Sequence, residues 1–301
     1  MMEGISVIVP TLNRDSYLVA TIKCLLKQDF EPPYEIIVVD QSSHINSTVV
    51  ELEQKSHIIK YYHILGFRGL PEARNFGVQH AKYDFILFLD DDIMCDDKLL
   101  KEHYKYLIKK EIGVVAGGIT EKFRTELKVN DIGKFCFFSC APKTGFHIKH
   151  SGYVDHAKGA NYSIKKNVFL EVGGVDEYLS LGVALLEETE LCLRVKERGY
   201  KVYFNYNAHV WHLAADTGGC RVVDIEKYVQ SFVHNQALVI SRHLKWYHYP
   251  TAFFCLFRRV ISLIISYHKP SLFILFLRSC KCGFRRGKLK PKYTDFRVVE
   301  C

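Results

Sequence analysis

The chain has 301 residues, 48% of them hydrophobic and 25% charged, which excludes a disordered segment and a mini-protein that needs disulfide or metal staples. The net charge of +8 is modest but uneven: Arg258 to Lys292 is rich in Lys and Arg and almost without acid, which points to an anionic surface as partner. Ten cysteines, with "MMEGISVIVP" running straight into a strand-like stretch instead of a leader, predict reduced thiols and a cytoplasmic setting.

In chain order, "ISVIVP", "EIIVVD" and "FILFLD" are apolar runs of the kind expected for parallel strands buried on both faces. Leu18, Ile22, Leu25 and Leu26 mark one face of a helix between the first two. "IIKYYHI" reads as another short strand, and "GLPEARNFGVQHA" as a helix entered through Gly and Pro. From Ile112 to Tyr153 only "GVVAGGI" suggests a strand, and the remainder reads as an excursion over the active face. A helix from about Leu185 ends at Gly199, a good C-cap, and passes into an aromatic strand.

Beyond Thr217 the chain is apolar and aromatic but interrupted by Arg258, Arg259, His268, Lys269 and Pro270. Neither apolar run reaches the roughly 20 residues of a spanning helix. Two readings follow. In one, Phe253, Phe254, Leu256, Phe257, Ile261 and Leu263 enter a membrane surface while Arg258 and Arg259 meet lipid phosphates; in the other, a pair of helices packs on the domain. No RNA-module motif accompanies the charges, which argues against nucleic acid.

Strands that end in Asp40 and Asp90 place those carboxylates at the C-terminal edge of a parallel sheet, where open α/β folds bind ligands. Asp90, Asp91 and Asp92 stand side by side after a buried strand and repel one another, so a cation or a cationic partner is expected there. Hard oxygen ligands suit Mg²⁺ or Mn²⁺. The alternative is an exposed acidic turn. A carboxylate such as Asp40 can accept hydrogen bonds from ribose or base, or simply cap a turn. Arg74, in the first turns of a helix, suits phosphate, or pairs with Glu72 or a nearby Asp.

The ordered motifs "VIVPTLNR", "VVDQSS", "GLPEARNFG", "FLDDDI", "KGANYSI", "EVGGVDE", "EETELCLR" and "VWHL" resemble family 2 inverting glycosyltransferases, from about Ile5 to Leu213. The resemblance implies a GT-A fold, a Rossmann-like and mostly parallel sheet with flanking helices, over residues 1–217, with a basic, aromatic helical extension over 218–301. It makes Asp90 and Asp92 the ends of a D-x-D motif holding Mn²⁺ or Mg²⁺, with His212 as a third ligand and His209 as its competitor. It puts Pro10, Thr11, Asp40, Arg74, Asp91 and Asn161 at the nucleotide-sugar, Asp176 at the acceptor and Glu188 at the general base. In "EETELCLR", Glu188 stands where the family commonly has Asp, one methylene longer.

The reaction implied is transfer from a nucleotide diphospho-sugar to a saccharide or lipid-linked acceptor, at the cytoplasmic face of a membrane. A non-catalytic scaffold that keeps the fold is the rival reading. A phosphohydrolase would not explain the later motifs, and "VPTLNR" is not the G-x-G-x-x-G of a dinucleotide oxidoreductase.

Overall fold

The computed structural model describes residues 2–122, 131–215, 218–219 and 224–296. The apolar runs near the start form parallel strands β1 (Ile5–Thr11), β2 (Tyr34–Asp40), β3 (Ile59–His63) and β4 (Phe85–Leu89), joined by helices α1 (Asp15–Leu25), α2 (Ser47–Lys55) and α3 (Leu70–His80). Every residue of β1 is buried because helices cover both faces of the sheet.

Next come β5 (Ile93–Cys95), α4 (Leu99–Leu107), β6 (Ile112–Glu121), the short pair β7 (Phe135–Cys136) and β8 (Ala141–Pro142), β9 (Gly152–Val154), β10 (Asn161–Lys165), α5 (Lys166–Glu171), α6 (Glu187–Glu197) and β11 (Lys201–His212). The main sheet runs β3-β2-β1-β4-β10-β6-β11-β5, with β9 also pairing β11. β10 is antiparallel to both its neighbours, so the sheet is mixed at its centre. β11 carries an irregularity between Asn205 and His209.

α6 begins at Glu187, two residues after the expected start, because Ala184 and Leu186 take left-handed conformations (φ 47° and 69°) that a helix cannot contain. Its end is as expected, with Gly199 at φ +88°. The excursion before β9 is not an active-face cover where it is described: Phe146 packs in the core against Phe204, and Phe135 and Cys140 join the C-terminal helices. Residues 123–130 of that excursion lie outside the described residues.

The C-terminal region forms α7 (Ile225–His243), α8 (Tyr249–Tyr267) and α9 (Ser271–Gly287). α9 crosses α7 closely because Gly283 and Gly287 present no side chain: a Cβ on Gly283 would stand 2.0 Å from the His234 carbonyl oxygen. After α9 the chain returns to the parallel half of the sheet, where Phe296 packs on Phe67 and Phe76, and Gln79 bonds both Thr294 and Phe296.

Contrary to the sequence expectation, the segment Trp246–Tyr267 is 22 residues long with mean hydropathy 1.3, long and apolar enough by length and composition to cross a membrane. Arg258 and Arg259 interrupt the run without shortening the helix. Leu256 is also misassigned to the outer surface; with Ala252 and Val260 it forms the buried stripe of α8.

Buried charges tie these helices to the sheet domain. Glu190 on α6 meets Arg194 at 2.7 Å, Arg242 at 2.7 Å and His243 at 3.2 Å, and Arg242 also holds Asp176 at 2.7 Å. Burial opposes charge on both Glu190 and His243, but the neighbouring cations hold Glu190 well below the usual carboxylate range, and Glu190 and Glu197 raise His243. The Glu190 contribution to stability therefore persists from neutral pH to below the ordinary glutamate range. The His243 contribution is complete below its unfolded value of 6.5 and is lost as pH rises through the higher folded value. Thermal melts should show Tm falling as pH rises above 6.5, and His243→Gln should flatten that decline; an unchanged slope in the variant would contradict the coupling.

Candidate active site

The parallel strands end along one edge, and a cleft of about 550 Å³ opens there. Its walls include Pro10 and Thr11 at the end of β1, Arg14 after it, Gln41 after β2, Gly69 and Leu70 at the start of α3, and Asp90, Asp91 and Asp92 after β4. His212, at the end of β11, lines the same cleft, as do Ser180, Gly182, Val183 and Leu185.

The three adjacent carboxylates have three different surroundings. Asp91 accepts from Thr11 Oγ1 at 2.6 Å and from Arg14 Nη1 at 2.8 Å. Its burial nevertheless dominates, pushing its pKa up to about 6 against the pull of Arg14 and Thr11. Asp92 accepts the Ala215 N–H at 2.8 Å through Oδ2, while Oδ1 faces His212 Nε2 at 3.1 Å. Burial opposes its charge too, but His212 and Arg14 hold it below the usual carboxylate range. Asp90 is the most open of the three, 30% exposed, with His212 Nε2 3.6 Å from its Oδ2.

Asp90, Asp92 and His212 thus place one ligand atom each within 4.8 Å of one another. Asp92 Oδ1 is buried and accepts no hydrogen bond, which leaves its lone pairs directed at that space. Two carboxylate oxygens and an imidazole nitrogen suit Mg²⁺ or Mn²⁺, so the donor set fits a divalent ion. His209 is not part of the group: its Nε2 pairs with Thr120 Oγ1 at 2.9 Å and its ring lies against Trp211.

Arg74 is fully buried and does not line the cleft. Its guanidinium lies beneath the acidic turn, donating to the Gly159 carbonyl at 2.8 Å, pairing with Glu187 and standing 3.7 Å from Asp90 Oδ1. The rings of Phe88 and Tyr162 lie 5.6 and 5.5 Å from it. Arg74 also approaches Gly159 closely, since a Cβ there would stand 3.2 Å from Nη2. Glu188, next to Glu187, is half-buried and close enough to Tyr162 and Cys192 to influence both electrostatically.

Other expected ligand contacts have structural partners instead. Asn161 is fully buried: its amide donates to the Gly118 and Ala208 carbonyls at 3.1 and 2.8 Å, and its oxygen pairs with His103 at 2.8 Å. It sutures the irregularity in β11. Asp176 is fully buried as well, taking the Tyr178 and Lys292 N–H groups at 2.9 Å besides Arg242. Asp40 accepts from Ser42 N–H at 2.8 Å and Tyr61 hydroxyl at 2.6 Å, and Gln41, not Asp40, reaches the cleft.

Two residues that serve the site were not singled out in the sequence. Arg14 belongs to the motif "VIVPTLNR" but has the spacing of any surface arginine; here it lies 3.3 Å from Asp92 as well as against Asp91. Thr21 reads as a helix-core position, yet its Oγ1 lies 2.8 Å from the Asp91 carbonyl and accepts the Ile93 N–H at 3.1 Å.

Residues 6–152 match the family described as Glycosyl transferase family 2. The chain carries a family 2 glycosyltransferase domain. The glycosyltransferase is 26% identical to the GalNAc(5)-diNAcBac-PP-undecaprenol beta-1,3-glucosyltransferase of Campylobacter jejuni, over 100% of this chain and 99% of that protein. It is 39% identical to chondroitin synthase of Pasteurella multocida over 30% of this chain, and spans only 10% of that larger protein. The mannosyltransferase PcManGT from Pyrobaculum calidifontis, solved with GDP-Man and Mn²⁺, shares the fold at a TM-score of 0.54 and 13% identity, over 94% of this chain and 85% of that one. The architecture is the GT-A fold of such enzymes.

In this glycosyltransferase Arg74 should be the costliest charge to remove. Arg74→Met leaves Glu187 buried without its cation, and urea unfolding should show a loss of roughly 3–5 kcal/mol. A loss below about 1 kcal/mol would show that Glu187 finds another partner.

Proposed function

We propose that the enzyme is a metal-dependent inverting glycosyltransferase. It moves a sugar from a nucleotide diphospho-sugar to a polysaccharide or lipid-linked precursor at the cytoplasmic face of a membrane. The observation that carries this reading is the Asp90, Asp92 and His212 cluster opening into the cleft at the C-terminal edge of the sheet. The relatives' acceptors, a polyprenyl-linked saccharide in one case, support the choice of acceptor class.

Asp90, Asp92 and His212 would hold Mn²⁺ or Mg²⁺. A divalent ion there supplies neutralisation of the charge that grows on a diphosphate leaving group. Asp91, fixed by Thr11 and Arg14, keeps the acidic turn in shape, and Pro10, Thr11 and Gln41 form the wall available to the nucleoside. Arg74 acts from below, as a positioning residue that joins Asp90 to the start of α6.

Glu188 is the general base of this reading. It takes the proton from the acceptor hydroxyl as that oxygen bonds the anomeric carbon and the bond to the diphosphate breaks, so nucleoside diphosphate leaves and the anomeric configuration inverts. Glu188 is half-buried at the first turn of α6 and makes no ion pair among the described residues. The longer side chain, where Asp is common, extends its reach.

Calorimetric titration with UDP, GDP and dTDP, each with Mn²⁺ and with chelator, should show metal-dependent binding of one nucleotide, abolished in Asp92→Asn. Absence of binding to all three would favour the non-catalytic scaffold. Glu188→Gln should lower turnover by roughly 10² to 10⁴ while nucleotide binding persists. Turnover equal to wild type would remove Glu188 from the base role.

A further inference from the structure

The exposed side of α8 and α9 is a feature the sugar-transfer reading leaves unused. Phe254, Phe257 and Ile265 on α8 and Phe273, Ile274 and Leu277 on α9 are each at least 39% exposed. Phe257 and Phe273, with ring centroids 6.5 Å apart, join the two helices' apolar sides into one band. Isolated apolar residues are ordinary on a surface, but a contiguous band marks an interaction site.

The charges around the band define its partner. From Lys227 to Thr294 there are 13 Lys and Arg residues and no Asp or Glu. Arg258 follows Phe257 on the exposed part of α8, and Arg278, Lys281 and Arg285 continue the stripe begun by Phe273, Ile274 and Leu277 along the exposed side of α9. A second copy docked through the same face would set one acid-free surface against another, and like charges there repel. Nucleic acid would answer the cations but would leave the Ile and Leu side chains without an apolar partner. An anionic lipid surface satisfies both, with acyl chains for the band and headgroup phosphates for the cations.

We infer that α8 and α9 together form a docking face that lies in the plane of an anionic bilayer and holds the catalytic cleft against it, without crossing it. Length and composition alone would let the segment Trp246–Tyr267 span. Packing argues otherwise: Ala252, Leu256 and Val260 of α8 are sealed in the cluster shared with α7 and α9, Arg259 turns back to α7 with its guanidinium 4.3 Å from the Phe232 ring, and Arg258 sits midway along the exposed side. One side of the helix is therefore committed to protein and cannot face lipid. The inference rests on the proposed function in taking a membrane as the place of action, and it names the surface and the lipid charge that function would use.

The test is sedimentation of the full chain with vesicles of phosphatidylcholine alone and of phosphatidylcholine with phosphatidylglycerol. The protein should partition to the anionic vesicles and be released by a 1 M salt wash, the ordinary behaviour of an electrostatically held interfacial protein. Arg278→Glu with Lys281→Glu should weaken partitioning by at least about 30-fold, roughly fivefold for each cation lost. Phe273→Asp with Leu277→Asp should abolish it, while metal-dependent nucleotide binding in both double variants stays at the wild-type level. That last readout separates the two readings: lost vesicle binding with intact nucleotide binding concerns the docking face alone, and lost nucleotide binding in the wild type concerns the function. Equal partitioning to neutral vesicles, resistance to the salt wash, or a wild-type dimer that the apolar double variant makes monomeric would each overturn the inference.

Discussion

A guanidinium without access to water must be paired, and that requirement on Arg74 organises the floor of the cleft. Its partners come from separate stretches of chain: Asp90 after β4, the Gly159 carbonyl before β10 and Glu187 at the first turn of α6. The faces of Phe88 and Tyr162 fill the space around it. Because removing a single partner leaves an uncompensated buried charge, the acidic turn and the start of α6 are held in register by the same cation.

This arrangement explains which parts of the site were legible in the sequence. Asp90, Asp92 and His212 stand next to the ends of strands, and strand ends on one edge of a sheet converge by topology alone. The other assignments depended on residue type, and type does not tell a ligand contact from an internal one. Asn161 closes an irregularity in β11, Asp176 is held by Arg242, and Arg74, read as suiting phosphate or pairing with a nearby Asp, lies buried between Asp90 and Glu187. Only burial and partners separate these roles, and neither leaves a periodic trace.

The fold divides in the same way. The parallel half was readable because strands covered on both faces need unbroken apolar runs, as in "ISVIVP" and "EIIVVD". The direction of β10, antiparallel between β4 and β6, is fixed by pairing with distant strands and has no local signature. In the C-terminal helices the arginines read as interruptions, yet an arginine on the outer side of a helix leaves its backbone ladder intact. The Gly283 and Gly287 contact with α7, by contrast, is invisible without the neighbouring helix.

The bond from the Ala215 N–H to Asp92 closes a sequence separation of 123 residues. Contacts of such separation carry a large loop-closure entropy and are made after local ones. During synthesis, then, β1 to β4 can leave the ribosome and pair while Asp92 still lacks the backbone N–H that will hold it. Asp92 gains its final arrangement only once β11 has been made and paired beside β6, so completion of the site reports completion of the sheet.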